Sequence, residues 1–185
     1  MFVAPAATCL TDVVRTIRPG RLGAPTPCPE YDVRGLVNHM LFWGPSLEAA
    51  GRKEAVPPPG ATETDLGLTI DDLLAQIDRT VKAWSEPAAW EGMTHMGGPT
   101  ELPAALVGGM IVTELVVHGW DLAKATGQSI APGDGLLDYL LAEVAKTAEQ
   151  GRAGGVYGPE VTVPATAPKL DRLLALTGRD PGWSA

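Results

Sequence analysis

Glu114 and His118 stand four residues apart in the long apolar stretch from Ala104 to Thr126. At about 100° per helical residue, four steps leave two side chains about 40° apart on one face. Val107, Ile111, Leu115 and Leu122 recur on that same face and predict that it is buried. A carboxylate on a buried face is costly unless something compensates it. Two compensations fit the spacing. One is an i,i+4 contact with His118 alone. The other is a divalent metal ion held by both, since Glu-x-x-x-His puts two ligands on one helical face as His-Glu-x-x-His sites do. A third residue joins the second reading: His39 lies on the flank of another apolar stripe, beside Leu36 and Trp43. A histidine there also fits a hydrogen-bonded core position. His39, Glu114 and His118 together would form a His₂Glu set with a position left open, the composition of catalytic zinc sites, whereas closed structural sites favour four ligands rich in Cys. Such an ion would acidify an entering thiol and polarise a carbonyl. Imidazole and carboxylate ligands suit zinc, nickel and iron alike, and zinc is the first expectation, with nickel and iron as alternatives.

Asp121 follows His118 by three residues and is the candidate catalytic residue, orienting a ligand histidine or meeting a polar group of a substrate. Its bland alternative is a surface acid paired with Lys124 or Arg34. His95, in Met93-Thr94-His95-Met96-Gly97-Gly98, reads as an exposed loop histidine, with an extra ligand or proton shuttle as the rival. Cys28 reads as a small buried hydrophobe, with a thiolate or redox role as the rival. Trp43 and Trp120 read as core or pocket wall. Gly119 in mid-helix predicts close approach by a neighbouring helix. The tail from Tyr157 to Glu160 either crosses the bundle over the site or staples the last helix. Gly-x-Gly-x-x-Gly, Walker-type, Gly-x-Ser-x-Gly and Cys-x-x-Cys motifs are all missing from the text, so nucleotide-dependent chemistry and serine hydrolysis have no support.

Prolines and glycines cut the chain into the helical blocks that must position these residues. Helices are expected over about 5–17, 32–50 with Asp32 as N-cap, 69–85, 104–126 with Gly127 as its stop, 135–150 and 169–177. Residues 86–103 read as a long connection and 151–168 as an irregular tail with an extended piece at Val161-Thr162-Val163. No alternation of strand type is sustained. The expected architecture is an all-α bundle of four main helices, with a long central loop and a short C-terminal helix.

Composition narrows the function classes. The 185 residues are about one domain's worth, 45% of them hydrophobic and 19% charged, an ordinary globular balance. The formal charge of −8 disfavours nucleic acid and anionic membrane surfaces as partners. The uninterrupted apolar runs fall short of the roughly 20 residues of a membrane span, and the N-terminus lacks the basic region of a signal peptide. Cys9 and Cys28 make no disulfide framework, so a reducing, cytoplasmic setting is expected.

The strings T-P-C-P-E-Y-D-V-R-G-L-V-N-H (Thr26 to His39) and E-L-V-V-H-G-W-D-L-A-K-A-T-G (Glu114 to Gly127) resemble those of the superfamily that unites DinB proteins with the mycothiol-dependent maleylpyruvate isomerase N-terminal domain. The tail from Gly158 to Pro181 is similar to the C-terminal end common in that family, so the resemblance covers nearly the whole chain. It implies a single DinB-like domain over residues 1–185, with zinc or nickel held at His39, Glu114 and His118. It also implies a small-molecule thiol such as mycothiol or bacillithiol as cosubstrate, a small electrophile as substrate, and a homodimer as one admissible assembly. The maleylpyruvate isomerase carries a further C-terminal domain, whereas this sequence stops at Ala185, so the isomerase reaction itself is not expected to carry over. The leading expectation is a metal-dependent, thiol-using transferase or isomerase. A non-catalytic metal- or ligand-binding bundle is the alternative.

Overall fold

The computed structural model describes residues 2–60, 62–67 and 69–184; Met1 and Ala185, the two ends of the expected domain, lie outside the described residues. Among them, six α-helices form: α1 (Val3–Val14), α2 (Val33–Arg52), α3 (Ile70–Ala83), α4 (Ala104–Thr126), α5 (Asp134–Ala153) and α6 (Lys169–Leu176). The caps explain the boundaries. Asp32 accepts a hydrogen bond from the Gly35 amide at 2.7 Å and starts α2. Thr69 and Asp72 form a reciprocal capping box at the start of α3. Pro103 and Gly127, the latter at φ 74°, bracket α4 where the sequence expects it. Helix α2 runs through Pro45 and stops only at Lys53, which takes the left-handed conformation at φ 57°.

Helices α1, α4, α2 and α3 pack in a closed ring, α1 on α4, α4 on α2, α2 on α3 and α3 on α1. That ring is the expected four-helix bundle. Helix α5 lies outside it against α4, and α6 packs on α5. Leu10 and Val14 of α1 and Val107 and Ile111 of α4 are fully buried at the centre. Gly119 is where α1 crosses: a Cβ there would sit 3.4 Å from Leu10 Cα, the close approach expected of a mid-helix glycine. Helix α4 is long and apolar enough to cross a membrane by length and composition, but 78% of its most apolar stretch is inside the molecule, where it serves as the core helix.

The expected long connection contains more structure than its glycines and prolines suggest. A 3₁₀ turn at Pro87–Trp90 leads into an antiparallel hairpin of β1 (Met93–His95) and β2 (Glu101–Pro103), with Thr94 opposite Leu102. Strands of three residues are too short to show an alternation in the sequence. The Thr94 hydroxyl donates to the Ala50 carbonyl at 2.6 Å and ties the hairpin to α2. Val161-Thr162-Val163 forms no strand; the Val161 amide donates to the Ala175 carbonyl at the end of α6 instead.

Candidate metal centre

Helix α2 delivers His39 and helix α4 delivers Glu114 and His118 to one spot. One donor atom from each of the three lies within 4.8 Å of the others. His118 Nε2 is 3.0 Å from Glu114 Oε2, and His39 Nε2 is 4.0 Å from the same oxygen. The two imidazoles meet edge to face, their centroids 5.3 Å apart. Glu114 is not sealed in the core as its stripe position predicts. Its side chain keeps 35% exposure because it faces a cavity of about 620 Å³ that the three residues help to line.

The other nitrogen of each ring decides the orientation. His39 Nδ1 is held at 2.7 Å by Glu63 Oε1, and His118 Nδ1 at 2.9 Å by Asp121 Oδ2. A carboxylate at Nδ1 fixes the proton there and leaves the Nε2 lone pair as the free donor, as in the carboxylate–histidine pairs that support metal sites. Both Nε2 atoms then point at Glu114. Two imidazoles and one carboxylate are donors that a divalent ion takes at about 2 Å, and closing on one ion would draw the three atoms nearer together than their present spread. The donor set suits a metal, and the carboxylates behind it suit one as well.

Electrostatics bind the centre tightly without an ion. Burial raises the Glu114 carboxyl, but the adjoining His118 outweighs it and holds it well below the usual range. Burial likewise lowers His118, while Glu114 and Asp121 on either side push it well above the ordinary histidine value. Both shifts favour the charged pair, carboxylate against imidazolium.

Asp121 has no exposed surface. It is not among the described residues that line the cavity, and its contacts are with its neighbours. The oxygen that holds His118 also accepts from an Arg179 terminal nitrogen at 3.2 Å, and the second Arg179 terminal nitrogen donates to the Thr177 carbonyl at 3.0 Å. Arg179, not Lys124 or Arg34, is its partner. Lys124 instead lies over the Trp120 ring, 5.7 Å from its centroid. Glu63 gathers three groups: His39, the Trp43 indole N–H at 2.9 Å and the Tyr31 hydroxyl at 3.2 Å. Burial works to raise Glu63, and the donated hydrogen bonds from Trp43 and His39 bring it below the usual carboxylate range.

Of the residues singled out in the sequence, His39, Glu114, His118 and Asp121 converge. His95 does not. It sits in β1, 3.9 Å from Glu101 and outside the cavity lining. Cys28 lines the cavity but stands outside the cluster, and burial pushes its thiol up, which keeps it protonated. Trp43 is cavity wall; Trp120 is buried without lining it. The tail does both things that the sequence left open: Tyr157, Gly158 and Pro159 line the cavity, and Val161 bonds to the end of α6. Glu63, Tyr31 and Arg179 escaped the sequence reading. Glu63 lies on a proline-rich connection with no periodicity to mark it, and Tyr31 and Arg179 sit in the resembling strings without any metal-ligand spacing.

The family described as mycothiol maleylpyruvate isomerase N-terminal domain matches residues 3–123. Two uncharacterised proteins of Mycobacterium tuberculosis, from strains CDC 1551 / Oshkosh and ATCC 25618 / H37Rv, are each 28% identical over 169 residues, 90% of this chain and 90% of each relative. No solved structure gives a significant match.

Proposed function

The chain belongs to the mycothiol maleylpyruvate isomerase N-terminal domain family, and on that premise we propose that it is a metal-dependent enzyme transferring or isomerising a small electrophile with the help of a low-molecular-weight thiol such as mycothiol. His39, Glu114 and His118 would hold one divalent ion, zinc in first place and nickel or iron as alternatives. The observation that carries this reading is the pair of carboxylates, Glu63 and Asp121, that turn both histidine Nε2 atoms onto Glu114. A core ion pair between Glu114 and His118 needs neither His39 nor Glu63.

A bound divalent ion supplies acidification of an entering thiol or water and polarisation of a substrate carbonyl. The protein's own groups do the rest. Glu63 and Asp121 hold the ligand rings in the donor tautomer. Arg179 balances the Asp121 charge, so Asp121 stays an acceptor. The segment through Tyr157, Gly158 and Pro159 adds low-dielectric wall to the cavity, which strengthens charge interactions beside it.

Elemental analysis of untagged protein prepared without chelator tests the reading, in parallel with Glu114→Ala and His118→Ala. Near-stoichiometric zinc or nickel in the wild type, lost in both variants, is the expected result. A wild type that stays metal-free after reconstitution overturns it. Thiol dependence then separates enzyme from module: turnover that rises with added thiol supports the enzyme, and tight metal binding without it leaves a metal-binding bundle.

A further inference from the structure

From the triad the cavity runs away along two helices. On α2 its lining continues from His39 to Leu47, and on α4 from His118 back to Met110. Each is eight residues, or about 12 Å along a helix axis. The wall of this limb is apolar, with Met40, Leu47, Leu73, Ile77, Met110 and Ile111 contributing.

The polar side chains along it are already engaged. Trp43 donates to Glu63, Gln76 donates to Glu48 at 3.1 Å, the Thr80 hydroxyl donates to the Gln76 carbonyl at 3.1 Å, and the Thr113 hydroxyl to the Gly109 carbonyl at 2.9 Å. Charge points the same way. Among the described residues lining the cavity, Glu30, Glu63 and Glu114 are carboxylates, and Arg179 is the one Lys or Arg. The Arg179 charge is matched by Asp121, and its buried Nε alone has no partner among the described residues. A divalent ion at the triad would offset Glu114 and Glu63 and leave no surplus positive charge for a second anionic group.

We infer that the electrophile is an uncharged molecule with an apolar body seated in this limb, and that dicarboxylates are excluded. The inference rests on the enzyme reading above and names its substrate class. A reactive carbon at the triad end is the part the ion's chemistry can reach. A carboxylate at the far end would be buried among Leu47, Ile77 and Met110 with no donor to meet it, a costly placement.

Competition against 1-aminoanthracene, an uncharged fluorophore that brightens in apolar pockets, tests this on the metal-loaded protein. Dimethyl naphthalene-2,6-dicarboxylate and the naphthalene-2,6-dicarboxylate dianion share one rigid skeleton with groups at opposite ends. The diester is expected to displace the fluorophore at a concentration at least tenfold lower than the dianion. Met110→Trp, which fills the far end of the limb, is expected to weaken fluorophore binding at least tenfold with metal content and helical circular dichroism unchanged. A dianion that competes as well as the diester, or a fluorophore that does not bind, overturns the inference. Protein that takes up no metal yet prefers the diester would overturn the enzyme reading and uphold the ligand class, so the two failures are told apart.

Discussion

Replacing Asp121 with Asn keeps the side chain's volume and removes its charge. One oxygen of Asp121 accepts from both His118 Nδ1 and Arg179, and the other is buried without a partner among the described residues. In the variant the amide oxygen can keep the first position. The new NH₂ must then sit where the unpartnered oxygen was, and the buried Arg179 guanidinium loses its counter-charge. Breaking one side of a buried ion pair costs about 3–5 kcal/mol. For a chain of this length 1 kcal/mol moves Tm by about 2–4 °C, so thermal unfolding followed by circular dichroism should fall by roughly 6–20 °C. Zinc affinity, measured by competition with a chromophoric chelator, should drop about 10–100-fold because the support behind a ligand histidine is weakened. The double variant Asp121→Asn with Arg179→Met separates the two effects. It removes the orphaned cation and should recover most of the stability, while zinc affinity stays low. A single variant that melts within about 3 °C of wild type and binds zinc equally well would refute the claim that Asp121 both neutralises Arg179 and orients His118.

Glu63→Gln removes the charge behind His39, and should lower zinc affinity about 10–100-fold and shift the emission of Trp43; unchanged affinity would mean that His39 is oriented without it. Gly44→Ala would drive a Cβ to 2.9 Å from Gln76 Cδ and nearer still to Cγ, on a side chain fixed by Glu48 and Thr80. The overpacking cost of about 1–3 kcal/mol opposes a helix-propensity gain of about 1 kcal/mol, so urea denaturation should show no stabilisation; a clear gain would show that α2 and α3 are not that close. The Asp72 carboxyl is held below its ordinary value by the hydrogen bonds with Thr69. A folded-state value below the unfolded one gives stability that is present above the unfolded value and is lost as pH falls through the folded one. The gap in urea midpoint between wild type and Asp72→Asn should therefore narrow from pH 5 to pH 3; a constant gap argues against the capping box.

The legible parts of this protein are those encoded by neighbours in sequence. Helix α4 was readable to the residue because Pro103 and Gly127 bracket an apolar run, and its Glu114–His118 face follows from helical periodicity alone. His39 could be joined to that face because it lies on an amphipathic helix. Glu63 and Arg179 could not, because a loop and a tail carry them in from 24 and 58 residues away from the groups they hold. Nothing in a local pattern reports where such segments land. The hairpin at Met93–Pro103 was missed for a different reason: its strands are shorter than the window over which alternation can be recognised.

The contact between Asp121 and Arg179 also has a consequence for the order of events during synthesis. The ribosome releases His39, Glu114 and His118 well before it releases Arg179, and α4 can dock on α1 and α2 in that interval. Until the segment after α6 arrives, Asp121 lacks its Arg179 counter-charge and has His118 as its basic partner. The centre therefore takes its finished charge balance late in folding, with the arrival of the Arg179 segment rather than with the emergence of His39, Glu114 and His118.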